Sequence, residues 1–165
     1  MGPFFLLSDF GCDDCYVAQM KAALADLCGD AGMIDLTHRV APGAVREGAF
    51  HLMTSVPRIP VGSVVLAVVD PGVGTGRRGL ACLSAGRMVV GPDNGLLSWL
   101  DRDDLRLLPP PGPDVSWTFH GRDWFAPMAA RLALNPGWFR SLEILSTSSR
   151  FTLFRKSSCP GVKTM

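Results

Sequence analysis

The segment SVVLAVVDPGVGTGRRG, residues 63 to 79, constrains the fold of this 165-residue chain more than any other. The run from Val64 to Val69 is apolar without alternation, which is typical of a strand buried on both faces of a parallel sheet. Asp70 ends that run and a glycine-rich loop follows it. Ligands of open α/β sheets bind at the carboxyl ends of the strands, so we expect Asp70 to lie at a binding edge.

Short apolar runs and amphipathic stretches alternate along the first 135 residues. Strands are predicted at 4–7, 33–36, 63–70, 80–84, 88–90, 105–108 and 115–119. Helices are predicted at 16–27, 42–56, 94–100 and 124–134. This alternation predicts a single α/β domain whose central, mostly parallel sheet is flanked by helices on both faces. A chain of this length with 47% hydrophobic residues is long enough for one such core.

The composition changes after residue 135. The first 135 residues hold 11 Lys/Arg and 14 Asp/Glu, whereas the last 30 hold 5 and 1 together with a Ser/Thr cluster. We therefore expect a domain over residues 1–135 and an atypical tail over 136–165 that is either truncated or disordered.

Charge and cysteine usage bear on partners and compartment. The net charge is +1 and no Lys/Arg stripe carries interleaved aromatic residues, so no nucleic-acid partner is expected. The N-terminus shows neither a signal-peptide pattern nor a membrane span, which predicts a cytoplasmic protein without a membrane partner. Five cysteines without a framework spacing favour a reducing compartment. The Cys12-x-x-Cys15 pair is interpreted as two ordinary loop residues, with a redox pair as the alternative.

Four loops carry the polar residues suited to chemistry, and each is expected at the carboxyl end of a strand. They read SDFGCDD, DPGVGTGRR, GPDNG and TFHGRD. Polar loops gathered on one sheet edge predict a single cleft. Structural roles are the alternatives: a turn at Asp70, a turn or helix cap at Asp93 and Asn94, and a surface pair of Asp123 with Arg122. His38 and His51 are expected to be structural.

A dinucleotide-binding loop and a metal site are two other interpretations of these residues. Gly74-x-Gly76-x-x-Gly79 matches a dinucleotide pattern, but that fingerprint needs a helix after the third glycine and residues 80–83 predict a strand. A metal-dependent phosphoesterase is an alternative, with ligands on acidic and amide side chains, although no pair at i and i+4 supports it. Its ligands would be Asp9, Asp14, Asp70 and Asn94.

Five motifs in order carry a resemblance to a known family. LLSDFG..D.YV..MK, IDLTH, VVDPGVGT.RR, VGPDNGLL and TFHGRDWFAP.AA closely resemble the S-adenosyl-L-methionine (SAM) hydroxide adenosyltransferases, or SAM hydrolases, from residue 4 to about 135. These are relatives of the adenosyl-fluoride and adenosyl-chloride synthases. The resemblance implies conversion of SAM and water to adenosine and methionine by a homotrimer, with SAM as substrate and neither a cofactor nor a metal.

The resemblance also implies roles for individual residues. It places the catalytic set on Asp70, Arg77 and His120, and it prefers Arg77 over Arg78 because Arg77 stands seven residues after the aspartate. The implied substrate-binding residues are Asp9 on the ribose hydroxyls, Asp14 on the methionine ammonium, and Asn94, Phe119 and Gly121 lining the site. The synthases carry an aromatic residue against the adenine where this chain has Gly43.

The end of the chain departs from the family pattern. Family members continue into a β-rich C-terminal domain that completes the pocket across a subunit interface, whereas here the resemblance stops near residue 135. We therefore expect impaired activity in this chain, restored when a full C-terminal domain replaces residues 136–165. A module that binds adenosine or SAM without turnover is the alternative.

Overall fold

The apolar run at 64–69 forms the centre of a six-stranded sheet in the computed structural model, which describes residues 1–145. The sheet order is β2-β1-β3-β5-β4-β6. Strands β2, β1, β3 and β5 pair in parallel, whereas β4 pairs antiparallel with both β5 and β6. The strands are β1 (Phe4–Ser8), β2 (Met33–Thr37), β3 (Val64–Val68), β4 (Gly79–Ser84), β5 (Arg87–Pro92) and β6 (Asp104–Leu107).

Helices cover both faces of the sheet, as the sequence predicts for the fold class. They are α1 (Tyr16–Cys28), α2 (Val45–Ser55) and α3 (Ala126–Leu134). Met20 and Leu24 of α1 join α3 residues in one buried cluster, while Val45 and Leu52 of α2 belong to a second cluster on the other face. Alternate residues of β1 and β3 enter the two clusters, which explains why these strands show no polar face. None of these helices is long and apolar enough to span a membrane.

Two predicted elements are wrong. Residues 115–119 form turns instead of a strand, and the Trp117 side chain is 76% exposed. The Ser116 N–H donates to the Asp123 carboxylate, so a side chain takes the place of a strand partner. Residues 94–100 form consecutive turns instead of a helix, because Gly95 adopts a φ of +100°, which no right-handed helix contains.

Residues 136–145 pack on the domain. A 3-10 helix spans Pro136–Ser141, and Phe139, Leu142 and Leu145 are buried. These contacts extend the packed region beyond residue 135, the expected end of the domain. The remainder of the expected tail, residues 146–165, lies outside the described residues.

Candidate active site

The two carboxylates of the site follow the ends of two neighbouring parallel strands. Ser8 of β1 pairs with Val68 of β3, so Asp9 and Asp70 emerge side by side where the strands end. The position of His120 differs from the sequence prediction. It precedes a π-helical turn that leads into α3 and does not follow a strand. The three loops enclose a cavity of about 50 Å³. It is lined by Asp9, Phe10, Val68, Asp70, Val73, Thr118, Phe119, His120 and Gly121.

Asp70, Arg77 and His120 form one hydrogen-bonded chain. Arg77 Nε donates to Asp70 Oδ2 at 2.6 Å, and Arg77 Nη2 also contacts that oxygen. Arg77 Nη2 lies 2.8 Å from His120 Nδ1. A guanidinium can only donate, so His120 Nδ1 accepts and a neutral His120 carries its proton on Nε2. The chain therefore fixes the tautomer of His120.

The environment of His120 favours its neutral form. Burial lowers the pKa of His120 below its ordinary value of 6.5, and the Arg77 cation lowers it further. Asp70 and Asp123 act in the opposite direction but do not outweigh these causes. This direction agrees with the hydrogen bond, because a protonated Nδ1 would point its proton at Arg77.

Asp9 is the second carboxylate of the cavity. Its Oδ2 accepts a hydrogen bond from the Gly43 N–H at 2.8 Å. Burial raises the pKa of Asp9, a change partly offset by that backbone hydrogen bond and increased by the nearby Asp70 charge. Gly43 has a φ of +70° and serves here as a backbone donor.

The aspartate and arginine side chains are buried yet incompletely paired. The exposed fractions of the Asp70 and Arg77 side chains are 4% and 8%. Within residues 1–145, Asp70 Oδ1 and Arg77 Nη1 are buried without a hydrogen-bond partner. The Arg77 guanidinium also lies over the rings of Trp124 and Phe125, 5.2 and 5.1 Å from their centroids. An unpaired buried carboxylate oxygen is a ready acceptor for a ligand proton.

The glycine-rich loop lets Arg77 turn back on Asp70. Val73 N–H donates to the Asp70 carbonyl, and Thr75 donates to the Gly72 carbonyl through both its N–H and its hydroxyl. Gly74 has a φ of +75°, and a Cβ there would lie 2.6 Å from the Trp117 carbonyl oxygen. Tight turns and close backbone contact thus account for the glycines that separate the aspartate from the arginine.

The two adjacent arginines have different partners. Arg77 joins Asp70 and His120, whereas Arg78 Nε donates to Asp93 Oδ2 at 2.8 Å. Asn94 lies behind the site: its Nδ2 donates to the Val69 carbonyl at 2.8 Å and its Oδ1 accepts from the Leu96 N–H at 3.1 Å. Asn94 therefore supports the end of β3 and does not line the cavity.

An aromatic cluster forms one wall of the cavity. The Phe119 ring packs edge-on against Phe10 and Tyr16, with centroids 5.6 and 5.0 Å apart. Gly121 lies beside this wall and lines the cavity, where the resemblance places it, and a Cβ there would meet the Phe10 ring at 2.9 Å. Phe10 itself was missed, although it directly follows Asp9.

Other predicted residues lie elsewhere. Asp14 is exposed, and its Oδ1 accepts from the Tyr16 N–H at the start of α1. Asp123 pairs with Arg122 through two hydrogen bonds, as its structural alternative predicts. His38 is buried and bonds to Ser8 Oγ at 2.7 Å.

The four ligands considered for a metal site are not gathered in one place. Asp9 and Asp70 line the cavity, whereas Asp14 is exposed and both side-chain functions of Asn94 bind backbone groups. In the part of the chain that the structure describes, no group of three or more His, Cys, Asp or Glu residues is arranged to hold a metal ion.

The fold and the site define an α/β protein with a buried carboxylate–guanidinium–imidazole chain at the carboxyl edge of a parallel sheet. Comparison with known protein families identifies one family within this class. The profile of the SAM hydroxide adenosyltransferase N-terminal domain matches residues 4–139, and the chain belongs to this family.

Individual relatives agree with the family assignment. A Thermus thermophilus protein named (R)-S-adenosyl-L-methionine hydrolase is 50% identical over 149 residues, covering 81% of this chain and 58% of its own length. A fluorinase from Nocardia brasiliensis is 36% identical over 76 residues, covering 46% and 25%. The crystal structure of an uncharacterized conserved protein from Thermotoga maritima superposes with a TM-score of 0.83 at 31% identity, covering 92% of this chain and 61% of that one. The chain spans about half the length of the curated relatives it matches.

Proposed function

We propose that this chain carries the reacting centre of a SAM hydrolase, in which water attacks the ribose 5′ carbon of SAM and releases adenosine and L-methionine. The observation that carries the proposal is the hydrogen-bonded set of Asp70, Arg77 and His120, of which Asp70 and His120 line the cavity. Family membership and the names of the relatives support the choice of substrate.

Activation of water is assigned to Asp70 and His120. Water is a poor nucleophile with a pKa of about 15.7 and must be oriented as it loses a proton. The unpartnered Asp70 Oδ1 is the available acceptor, because Oδ2 is held by Arg77. His120 Nδ1 is not available as a base, because Arg77 donates to it. His120 would therefore act as a hydrogen-bond donor through Nε2, and Arg77 would hold both groups in place.

The bond changes balance without a general acid. The water oxygen forms a bond to the 5′ carbon, the carbon–sulfur electron pair moves to sulfur, and the water proton passes to Asp70 and then to solvent. The sulfonium leaves as a neutral thioether, so positive and developing negative charge cancel in the transition state. A dry apolar wall favours such charge cancellation, and Phe10 and Phe119 supply one.

The cavity formed by the described residues is too small to hold a whole SAM molecule. Its volume of about 50 Å³ fits a water molecule and a few substrate atoms, whereas pockets for whole ligands of this class measure about 300 to 1,000 Å³. We assign Asp9 to the ribose hydroxyls because an ionised carboxylate can accept from both. Asp14 remains our candidate for the methionine ammonium, because its exposed carboxylate lies on the same loop as Asp9.

A homotrimer is part of the proposal. Tyr16 and Trp117 are 47% and 76% exposed, and Tyr16 packs on the Phe119 wall of the cavity. Exposed aromatic residues beside an incomplete site favour coverage by another subunit. Light scattering should give three times the monomer mass of 17.7 kDa. A cytoplasmic location is also proposed, in keeping with the cysteine usage.

Incubation with SAM and chromatographic separation of the products tests the function. We expect equal amounts of adenosine and methionine, unchanged by a chelator. Methylthioadenosine or homocysteine would contradict the proposed bond cleavage. Hydrolysis of a phosphoester substrate that EDTA abolishes would favour the phosphoesterase alternative. Tight SAM binding without product would favour the binding-module alternative. The absence of both SAM binding and product, in this chain and in the chain given a full C-terminal domain, would contradict both interpretations.

Matched variants test the role of the arginine. Arg77→Lys keeps the charge but cannot donate to Asp70 and His120 in the same geometry, so we expect at least about a hundredfold loss of turnover. Arg78→Lys is the control and should retain most activity, because Arg78 pairs with Asp93 outside the cavity. Equal losses in both variants would argue against the assignment of Arg77.

A further inference from the structure

A network of polar side chains joins the two loops that form the aromatic wall. Arg122 Nη1 donates to Gln19 Oε1 of α1 at 2.6 Å. Its Nε and Nη2 donate to the two carboxylate oxygens of Asp123 at 2.5 and 2.8 Å. We name Gln19, Arg122 and Asp123 the clamp. None of the three lines the cavity.

The clamp holds the segment that carries Phe119 and His120. The Arg122 guanidinium lies over the Phe119 ring, 4.8 Å from its centroid. Asp123 Oδ2 accepts from the Ser116 N–H, and the Asp123 N–H donates to the Phe119 carbonyl. The Asp123 side chain thus holds the start of the turn at Ser116, and the Arg122 guanidinium covers the Phe119 ring just before His120.

The clamp also reaches the first loop of the site. Gln19 Nε2 donates to Cys15 Sγ at 2.9 Å, so the same amide contacts the loop that begins with Asp9 and the guanidinium on the opposite side. A planar guanidinium that pairs through two hydrogen bonds and stacks on a ring has little freedom to shift. The separation of the two loops is therefore set by residues outside the cavity.

We propose that Arg122 and Asp123, with Gln19, are positioning residues that hold Phe119 against Phe10 and keep His120 on Arg77. This inference rests on the proposed function in assigning a reaction to the site, but the geometry it describes can be tested without that reaction. Neither Arg122 nor Asp123 is placed to touch the reacting atoms.

The test is the titration of His120 by NMR in the full chain with labelled histidine. The charged groups that face His120 are Arg77, Asp70 and Asp123. Arg122→Lys conserves every charge but cannot reproduce the stacking and the paired hydrogen bonds. If the clamp keeps His120 on Arg77, this variant should raise the His120 pKa toward 6.5 and lose the tautomer with unprotonated Nδ1.

Three further variants separate an effect on the position of His120 from an effect of charge and from a general loss of stability. Gln19→Leu also leaves all charges in place and should shift the His120 pKa in the same direction. Arg131→Lys is the matched control. Arg131 lies in α3, away from the cavity, and its guanidinium lies over Trp138, 4.1 Å from the ring centroid. Asp123→Asn removes a negative charge, so a purely electrostatic role would lower the His120 pKa and a positioning role would raise it.

Turnover of SAM provides the second readout. Arg122→Lys should reduce kcat by about tenfold to a hundredfold, the scale expected when a reacting group is displaced by about 1 Å, and should raise KM by a smaller factor. If neither the wild-type chain nor the chain given a full C-terminal domain forms adenosine, the proposed function fails, while the titration still decides the clamp. Folded Arg122→Lys and Gln19→Leu proteins with an unchanged His120 pKa and tautomer would overturn the proposal.

Discussion

The buried Asp70–Arg77 pair allows a prediction about stability that does not depend on activity. Arg77→Met removes the cation from a carboxylate whose side chain is 4% exposed. Loss of one partner from a buried ion pair costs about 3 to 5 kcal/mol, because the remaining charge is left unpaired. At about 2 to 4 °C per kcal/mol for a chain of this size, Tm should fall by about 6 to 20 °C.

A double-mutant cycle isolates the pair from the other contacts of Arg77. Arg77→Met also loses the hydrogen bond to His120 and the contacts with Trp124 and Phe125, but these losses recur in the double variant with Asp70→Asn and cancel. The double variant should therefore be more stable than the sum of the single effects predicts, by at least about 2 kcal/mol. Urea unfolding followed by tryptophan fluorescence measures all four proteins. A loss below about 1 kcal/mol in Arg77→Met, or additivity within about 0.5 kcal/mol, would refute the reasoning.

Two further predictions concern single positions. His120 has a lowered pKa, so it contributes stability above pH 6.5 that is lost as the pH falls through its folded-state pKa. The free energy of unfolding, measured from pH 7 downward, should therefore fall in the wild type by an amount that is absent from His120→Gln. Gly91→Ala places a Cβ 2.7 Å from the Ala67 carbonyl oxygen and should lower Tm, whereas Gly112→Ala, with no atom within 4 Å, should not; equal melting temperatures would contradict the packing described between β3 and β5.

Sequence reasoning succeeded where one physical pattern dominates. The unbroken apolar run at 64–69 predicts a buried parallel strand, and Ala85-Gly86 predicts the turn between β4 and β5, where both residues have positive φ. Arg77 could not be separated from Arg78 by chemistry, since both follow the same strand. Only the spacing implied by the family resemblance favoured Arg77, and the hydrogen bonds in the structure now distinguish the two.

The strand predicted at 115–119 is wrong because a side chain replaces a backbone partner. Val115, Trp117 and Phe119 alternate with polar residues as in a strand, but the Asp123 carboxylate binds the Ser116 N–H and Trp117 remains exposed. No periodicity in the sequence reveals such a bond between a loop and the helix that follows it. For the same reason the clamp and the Phe10 side of the cavity could not be predicted, because both depend on contacts between distant segments.

The π-helical turn at Gly121–Phe125 has a consequence for how the site could change during evolution. The Ala126 N–H bonds to the Gly121 carbonyl five residues back, so this turn holds one residue more than an α-helical turn. Deleting one residue here would keep α3 in place on the sheet only if the residues of the turn rotated by roughly 100° about the helix axis. Such a rotation would move His120 away from Arg77 and would displace Trp124 and Phe125, which are buried against the Arg77 guanidinium. A single-codon deletion or insertion at this point would therefore change the side chain that contacts Arg77 together with the packing around it.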